Sequence, residues 1–434
     1  MTNIEPYIIF VSIMFFIGLL YTSIKSIEKY EIVIILFASS ALIAALFYAN
    51  EPEWSVEAHE TGLGGYLRGL ILIFCGILGI AYFFLNSKEH KFKVPLHLLL
   101  LFGFCLYNFI SIFFSIDQPN TFIRSTLFAT VFFFLLGLDS WIRSKNDLNK
   151  ILNVLFFLVS FFIIANIISI FIIPSRVWWW KVPSRLIGLS SHPNVLGGFT
   201  VISFPILLWK FYNIRREWKY FVITMLFLNL VILILTGSRT SFAAVLISLF
   251  LWFLIYRDWI KLTAMVSLLI VGALVFSQIE VSSYERAEGS RIYYLTEREN
   301  IWEGALLFAK KNPIVGYGYS VESKIFADQY KYDIEGTGVD INPQGPLHNG
   351  YLSILIGGGL IGLVLFMCAI GIPLYYLFNS KVSSYKAYAL STMAAILISN
   401  IVESSITGYF SPTDIFFWIA WVIGGNILTA TENN

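Results

Sequence analysis

"GPLHNGYLSILIGGG" (residues 345–359) opens an apolar run that continues to about residue 378, with a histidine at its mouth and three adjacent glycines inside it. A run this apolar exceeds the roughly 20 residues that an α-helix needs to cross a hydrocarbon layer. It is not isolated. Comparable runs lie near 6–24, 31–49, 66–86, 95–115, 122–142, 151–173, 195–213, 219–236, 240–256, 261–278, 387–408 and 414–430. The pattern predicts an all-α, polytopic membrane protein of about 12–13 spans. No repeat or separate soluble unit interrupts it, so residues 1–434 read as a single membrane domain.

Composition points the same way. Of 434 residues, 57% are hydrophobic and 13% charged, with a mean hydropathy of +0.75. Soluble chains carry roughly 25% charged residues, so this chain needs an apolar solvent. Membrane lipids are therefore expected partners, and no nucleic-acid partner is expected. Cys75, Cys105 and Cys368 all fall inside apolar runs without paired spacing, which suggests neither disulfide nor zinc. The first run lacks a basic flank and a small-residue cleavage site, so it reads as a retained span.

Lysine and arginine assign the sides. The connections at 25–29, 88–93, 143–150, 215–219, 257–261 and 381–386 are basic and alternate along the chain, which makes them cytoplasmic. The outer side then holds the acidic stretch 50–60, the loop "PSRVWWWKVPSR" (174–185), the turn "TGSRT" (236–240) and one long segment, 279–347. This order puts the N-terminus outside and the C-terminus inside.

Arg176, Lys181, Arg185, Arg239, Arg291 and Arg298 all fall on the outer side, against the topogenic trend. Interfacial snorkelling beside "WWW" (178–180) explains Arg176 and Lys181 most simply. For the others, the alternative is an anion site, because a guanidinium fork matches phosphate oxygens in a bidentate way. Within segment 279–347, apolar residues from Ile292 to Ala309 recur at helical spacing. This predicts an amphipathic helix at about 291–311 that ends at Asn312-Pro313. Such a helix suits a lid over a cleft for a substrate with a lipid tail and a polar head.

"RLIGLSSHPNVLGG" (185–198), "LTGSRTS" (235–241), "RENIWEGALLFAKKNPIVGYG" (298–318) and "HNGYLSILIGGGLIGL" (348–363) resemble, in order, the signatures of the O-antigen ligase and polymerase family. His348 with Gly359 resembles the spacing of the ligase branch, and Arg291 with Leu295 a second pattern. The family's usual twelve spans with both ends inside differ from the outward N-terminus read here.

The resemblance implies a GT-C-type glycosyltransferase of the bacterial cytoplasmic (inner) membrane, acting at its periplasmic face. Its donor would be a glycan on undecaprenyl diphosphate, and its acceptor a saccharide or glycolipid. Breaking the bond from anomeric carbon to diphosphate builds negative charge that fixed arginines stabilise, and the acceptor hydroxyl needs a base. His348, Arg298 and Arg239 are the expected catalytic residues. Arg185, Arg291, Asn349 and Glu403 are expected to bind substrate, and Arg185, Arg239 and Arg298 to converge on one site.

Structural readings stand beside these. His348 would then only cap its helix, His192 before a proline would be a turn element, and Gly357–Gly359 would allow close helix packing. Glu403, placed near the outer end of its span, would orient His348 or pair with an arginine. Glu51 and Glu53 resemble a metal-binding pair, but arginines make a cation unnecessary, so no metal and no cofactor are expected. The rival class is a polysaccharide or lipid-linked sugar transporter or flippase, which more often shows two related halves.

Overall fold

A computed structural model describes residues 30–48, 63–90, 94–179, 182, 184–267, 298–325, 347–404, 406 and 411–432. The span expected at 6–24, Glu51, Glu53, Lys181, Arg291 and most of segment 279–347 lie outside the described residues. The helices are α1 (Tyr30–Tyr48), α2 (Leu63–His90), α3 (Leu96–Ile110), α4 (Gln118–Trp141), α5 (Lys145–Ile172), α6 (Pro193–Asn213), α7 (Lys219–Thr236), α8 (Arg239–Ile255), α9 (Arg298–Lys311), α10 (Gly350–Asn379), α11 (Ser384–Ser399) and α12 (Pro412–Glu432). Among the described residues, seven helices are long and apolar enough to cross a membrane, and the only β feature is an isolated bridge between Trp178 and Leu186. The chain is an all-α, multi-pass membrane protein.

The exposed side chains explain why the sequence is so apolar. On α5, Phe157, Phe161, Ile168 and Phe171 are 70, 62, 47 and 79% exposed and share one face, while Leu155, Val159, Phe162 and Ile163 are buried opposite. A soluble helix keeps its exposed face polar; a helix apolar on both faces has hydrocarbon as its outer neighbour. α12 is the inner extreme. Every residue from Phe416 to Ile423 is at most 2% exposed, because α4, α6, α10 and α11 all pack around it. One buried polar cluster is cross-linked: His97 on α3 and Asn426 on α12 both hydrogen-bond Asp139 Oδ1 on α4, at 3.0 and 2.6 Å. Unpaired, each would be costly in an apolar medium.

The glycine run in α10 is a break in the helix. Gly359 has φ 60° and ψ −161°, a backbone region essentially reserved for glycine. A strap formed by residues 312–320 fills the break. Tyr317 N–H and Gly318 N–H donate to the Ile356 and Gly357 carbonyls, both at 2.9 Å; Leu360 N–H and Ile361 N–H donate to the Pro313 and Ile314 carbonyls, at 2.8 and 3.2 Å. Tyr107 of α3 donates to both the Val315 and Gly358 carbonyls, at 3.0 and 2.9 Å. These backbone groups beside the break thus find partners, as a non-helical backbone at membrane depth requires. The packing expected of Gly357–Gly359 is therefore corrected in kind: the glycines admit backbone from the strap, and Gly358 also admits the Tyr107 ring.

Candidate active site

One end of the bundle gathers the first residues of α6, α8, α9 and α10 and the last residues of α7 and α11. His348 sits two residues before α10, in the left-handed region at φ 49°. Asn349 is the N-cap of α10; its Oδ1 accepts from Tyr351 N–H and Leu352 N–H at 3.1 and 3.0 Å. That oxygen holds the helix start, which leaves the expected substrate contact of Asn349 without its acceptor.

The loop after α11 is pinned to this helix start. Gly350 N–H donates to the Asn400 and Glu403 carbonyls at 3.0 and 3.2 Å, and a Cβ on Gly350 would lie 2.3 Å from the Asn400 side chain. Glu403 therefore lies in this loop, beyond the last turn of α11, which ends at Ser399, and not inside the span.

Glu403 is the hub of the site. Its Oε2 lies 3.3 Å from His348 Nδ1, and its Oε1 accepts from Arg298 Nη2 at 3.1 Å and from Asn194 Nδ2 at 3.0 Å. Arg298 Nη1 also donates to the Val402 carbonyl. Asn194 in turn accepts at Oδ1 from Arg185 Nη2 at 2.9 Å, and Arg185 Nε donates to the Thr236 carbonyl at 2.8 Å. The Arg185 guanidinium lies 5.3 Å from the centre of the Trp179 ring, whose other neighbour is His192. His192 caps α6 through Nδ1, accepting from Asn194 N–H at 3.1 Å, so its place as a turn element fixes Asn194.

The chemistry of the hub follows from these partners. A carboxylate only accepts, so Nδ1 of His348 is the donating nitrogen, and in the neutral imidazole Nε2 then keeps the lone pair. The His348 side chain is 30% exposed, against 14% for Arg298 and 19% for Glu403. Burial pushes the Glu403 carboxyl up, but the His348 hydrogen bond and the Arg298 charge outweigh it and hold the group below its ordinary value.

Arg298, His348 and, through Asn194, Arg185 are thus brought to one carboxylate. Arg239 is placed differently. It is the first residue of α8, two positions after Gly237, which abuts Arg185, but its side chain is exposed and has no hydrogen-bond or ion-pair partner among the described residues. Sequence reasoning missed Asn194, although the pattern of a capping residue followed by proline at 192–193 marks a helix start just there. Among the described residues, no cluster of three or more metal-ligating side chains occurs.

Residues 222–367 match the family model described as O-antigen ligase. This stretch contains Arg239, Arg298 and His348. A curated O-antigen ligase of Pseudomonas aeruginosa is 24% identical over 250 residues, which is 57% of this chain and 57% of that protein. The chain thus matches somewhat more than half the length of that relative. Across α7 to α10 the chain is thus similar to the O-antigen ligase family, and it shares this similarity with that relative.

Proposed function

We propose that this protein is a glycosyltransferase that moves a glycan from undecaprenyl diphosphate to a hydroxyl of a saccharide or glycolipid acceptor, at the periplasmic face of the bacterial inner membrane. The observation that carries this reading is the shared carboxylate: an imidazole and Arg298 meet at Glu403, and Arg185 reaches it through Asn194, at one end of a membrane bundle. His348 Nε2 takes the proton from the acceptor hydroxyl as that oxygen bonds to the anomeric carbon. The bond from that carbon to the diphosphate oxygen breaks, and the electron pair leaves on undecaprenyl diphosphate. Glu403 steadies the imidazolium as it forms.

Arg298 and Arg239, with Arg185 behind them, meet the charge that builds on the leaving oxygens. One such donor, placed in a poorly hydrated site, contributes about 2.7–4 kcal/mol to the transition state. Guanidinium groups supply the positive charge that a divalent cation supplies in other enzymes. Segment 279–347 acts as a lid over the cleft, and its described part includes α9 and the strap. The strap keeps the lid in register with α10, since one of its ends leads into α9 and the other holds the helix break.

The direct test is purified protein in lipid nanodiscs, with an undecaprenyl-diphosphate-linked glycan and an acceptor, in EDTA and without any ion gradient. The proposal expects transfer of glycan and release of undecaprenyl diphosphate. Donor left intact, or glycan moved only between compartments under a gradient, contradicts it in favour of transport. Activity that EDTA abolishes and magnesium restores contradicts the role given to the arginines.

A further inference from the structure

Glu403 touches Arg298 and His348, and a donor diphosphate would compete with it for Arg298. The Arg298 fork is committed at Nη2 to the Glu403 carboxylate and at Nη1 to the Val402 carbonyl. Three N–H donors remain, on Nε and on each terminal nitrogen, but a diphosphate that takes the terminal edge meets the Glu403 carboxylate there as a rival anion. A diphosphate seated on that terminal edge takes the place of the carboxylate. Glu403 has somewhere to stay when that happens: Oε2 remains by His348 Nδ1, and Oε1 keeps Asn194 Nδ2, which Arg185 holds from behind.

The consequence is electrostatic. While Arg298 neutralises the carboxylate, little of its charge is left to stabilise an imidazolium. With Arg298 drawn to the diphosphate, that charge falls on His348 alone. The groups facing Glu403 are Arg298 from α9, His348 from the mouth of α10 and the neutral Asn194 from α6, so the balance lies between one guanidinium and one imidazole. Resting on the diphosphate reading of this site, we propose that Glu403 is a positioning residue that exchanges Arg298 for the donor diphosphate, and so readies His348 only when the donor is seated. An acceptor hydroxyl would then meet a competent base only beside a bound donor.

The exchange predicts that Glu403 competes with diphosphate. Apparent affinity falls by the fraction of protein in which Arg298 is free, so removing the carboxylate charge should tighten diphosphate binding while slowing transfer. The test measures undecaprenyl diphosphate binding and glycan-transfer turnover on full-length protein in nanodiscs. Glu403→Gln is expected to bind undecaprenyl diphosphate about tenfold more tightly than wild type and to turn over about a hundredfold more slowly. A merely structural role would weaken both.

Arg298→Ala separates the two levels of the claim. If Arg298→Ala binds less undecaprenyl diphosphate than wild type but Glu403→Gln binds no tighter, the exchange is overturned and the diphosphate reading survives. If Arg298→Ala binds as well as wild type, the diphosphate reading itself fails. Should Glu403→Gln not fold, Glu403→Asp keeps the charge but shortens its reach, so that it cannot span both cations. It is expected to tighten binding by a smaller factor, and an unchanged or weakened affinity overturns the exchange.

Discussion

Replacing Gly359 by alanine tests whether the break in α10 is structural machinery for the site. The backbone there, at φ 60° and ψ −161°, costs a residue with a Cβ about 1–3 kcal/mol. The added carbon would also stand 2.3 Å from the Ile314 carbonyl oxygen and 2.6 Å from Val315 N, both strap backbone with no side-chain freedom to yield. The strap must then move off the break. Each of its four backbone hydrogen bonds contributes about 0.5–1.5 kcal/mol, and losing even two brings the total to about 2–6 kcal/mol. The functional effect follows from connectivity, because the strap leads directly from α9, which carries Arg298, and grips α10, which carries His348. Transfer assays and thermal melts of Gly359→Ala in nanodiscs should show lower stability together with a loss of turnover larger than the loss of folded protein. Wild-type melting with wild-type turnover would refute the claim that the strap sets the site.

Three further outcomes follow from the arrangement around the site. Arg185→Ala should lower stability by about 2 kcal/mol or more, because a cationic donor leaves the Thr236 carbonyl and Asn194; Arg239→Ala, which removes a side chain with no partner among the described residues, should slow transfer and leave the melting temperature unchanged. The pH dependence of stability should separate wild type from Glu403→Gln in one direction. A carboxyl held below its ordinary value of 4.5 contributes stability above that pH and loses it as pH falls through the depressed value, so the gap in melting temperature should shrink as pH falls below 4.5.

Much of this was legible in the sequence, and the limits have physical causes. Hydropathy finds a span because a bilayer demands a long apolar run, and α2, α4, α5 and α10 lie where the runs do. The position of His348 at a helix mouth was readable because polar loop gives way to apolar run within two residues. Hydropathy fails where a polar end is absorbed into a run: 387–408 reads as a continuous span, but the helix stops at Ser399 and the chain turns so that Glu403 faces His348. The GGG at 357–359 and the GYG at 316–318 were both visible. That they meet backbone to backbone was not, because pairing across 40 residues leaves no local period. The same is true of Asn194, whose two bonds reach Glu403 and Arg185 through the tertiary fold alone.

The central claim is that His348 removes the acceptor proton at a site whose arginines hold the donor. It is tested most directly by His348→Ala, with turnover measured on a lipid-linked glycan and binding measured on undecaprenyl diphosphate in the same preparation. The account predicts that transfer is lost while the protein stays folded and still binds undecaprenyl diphosphate, since the base acts on the acceptor and the arginines on the donor. Wild-type turnover by His348→Ala would contradict it.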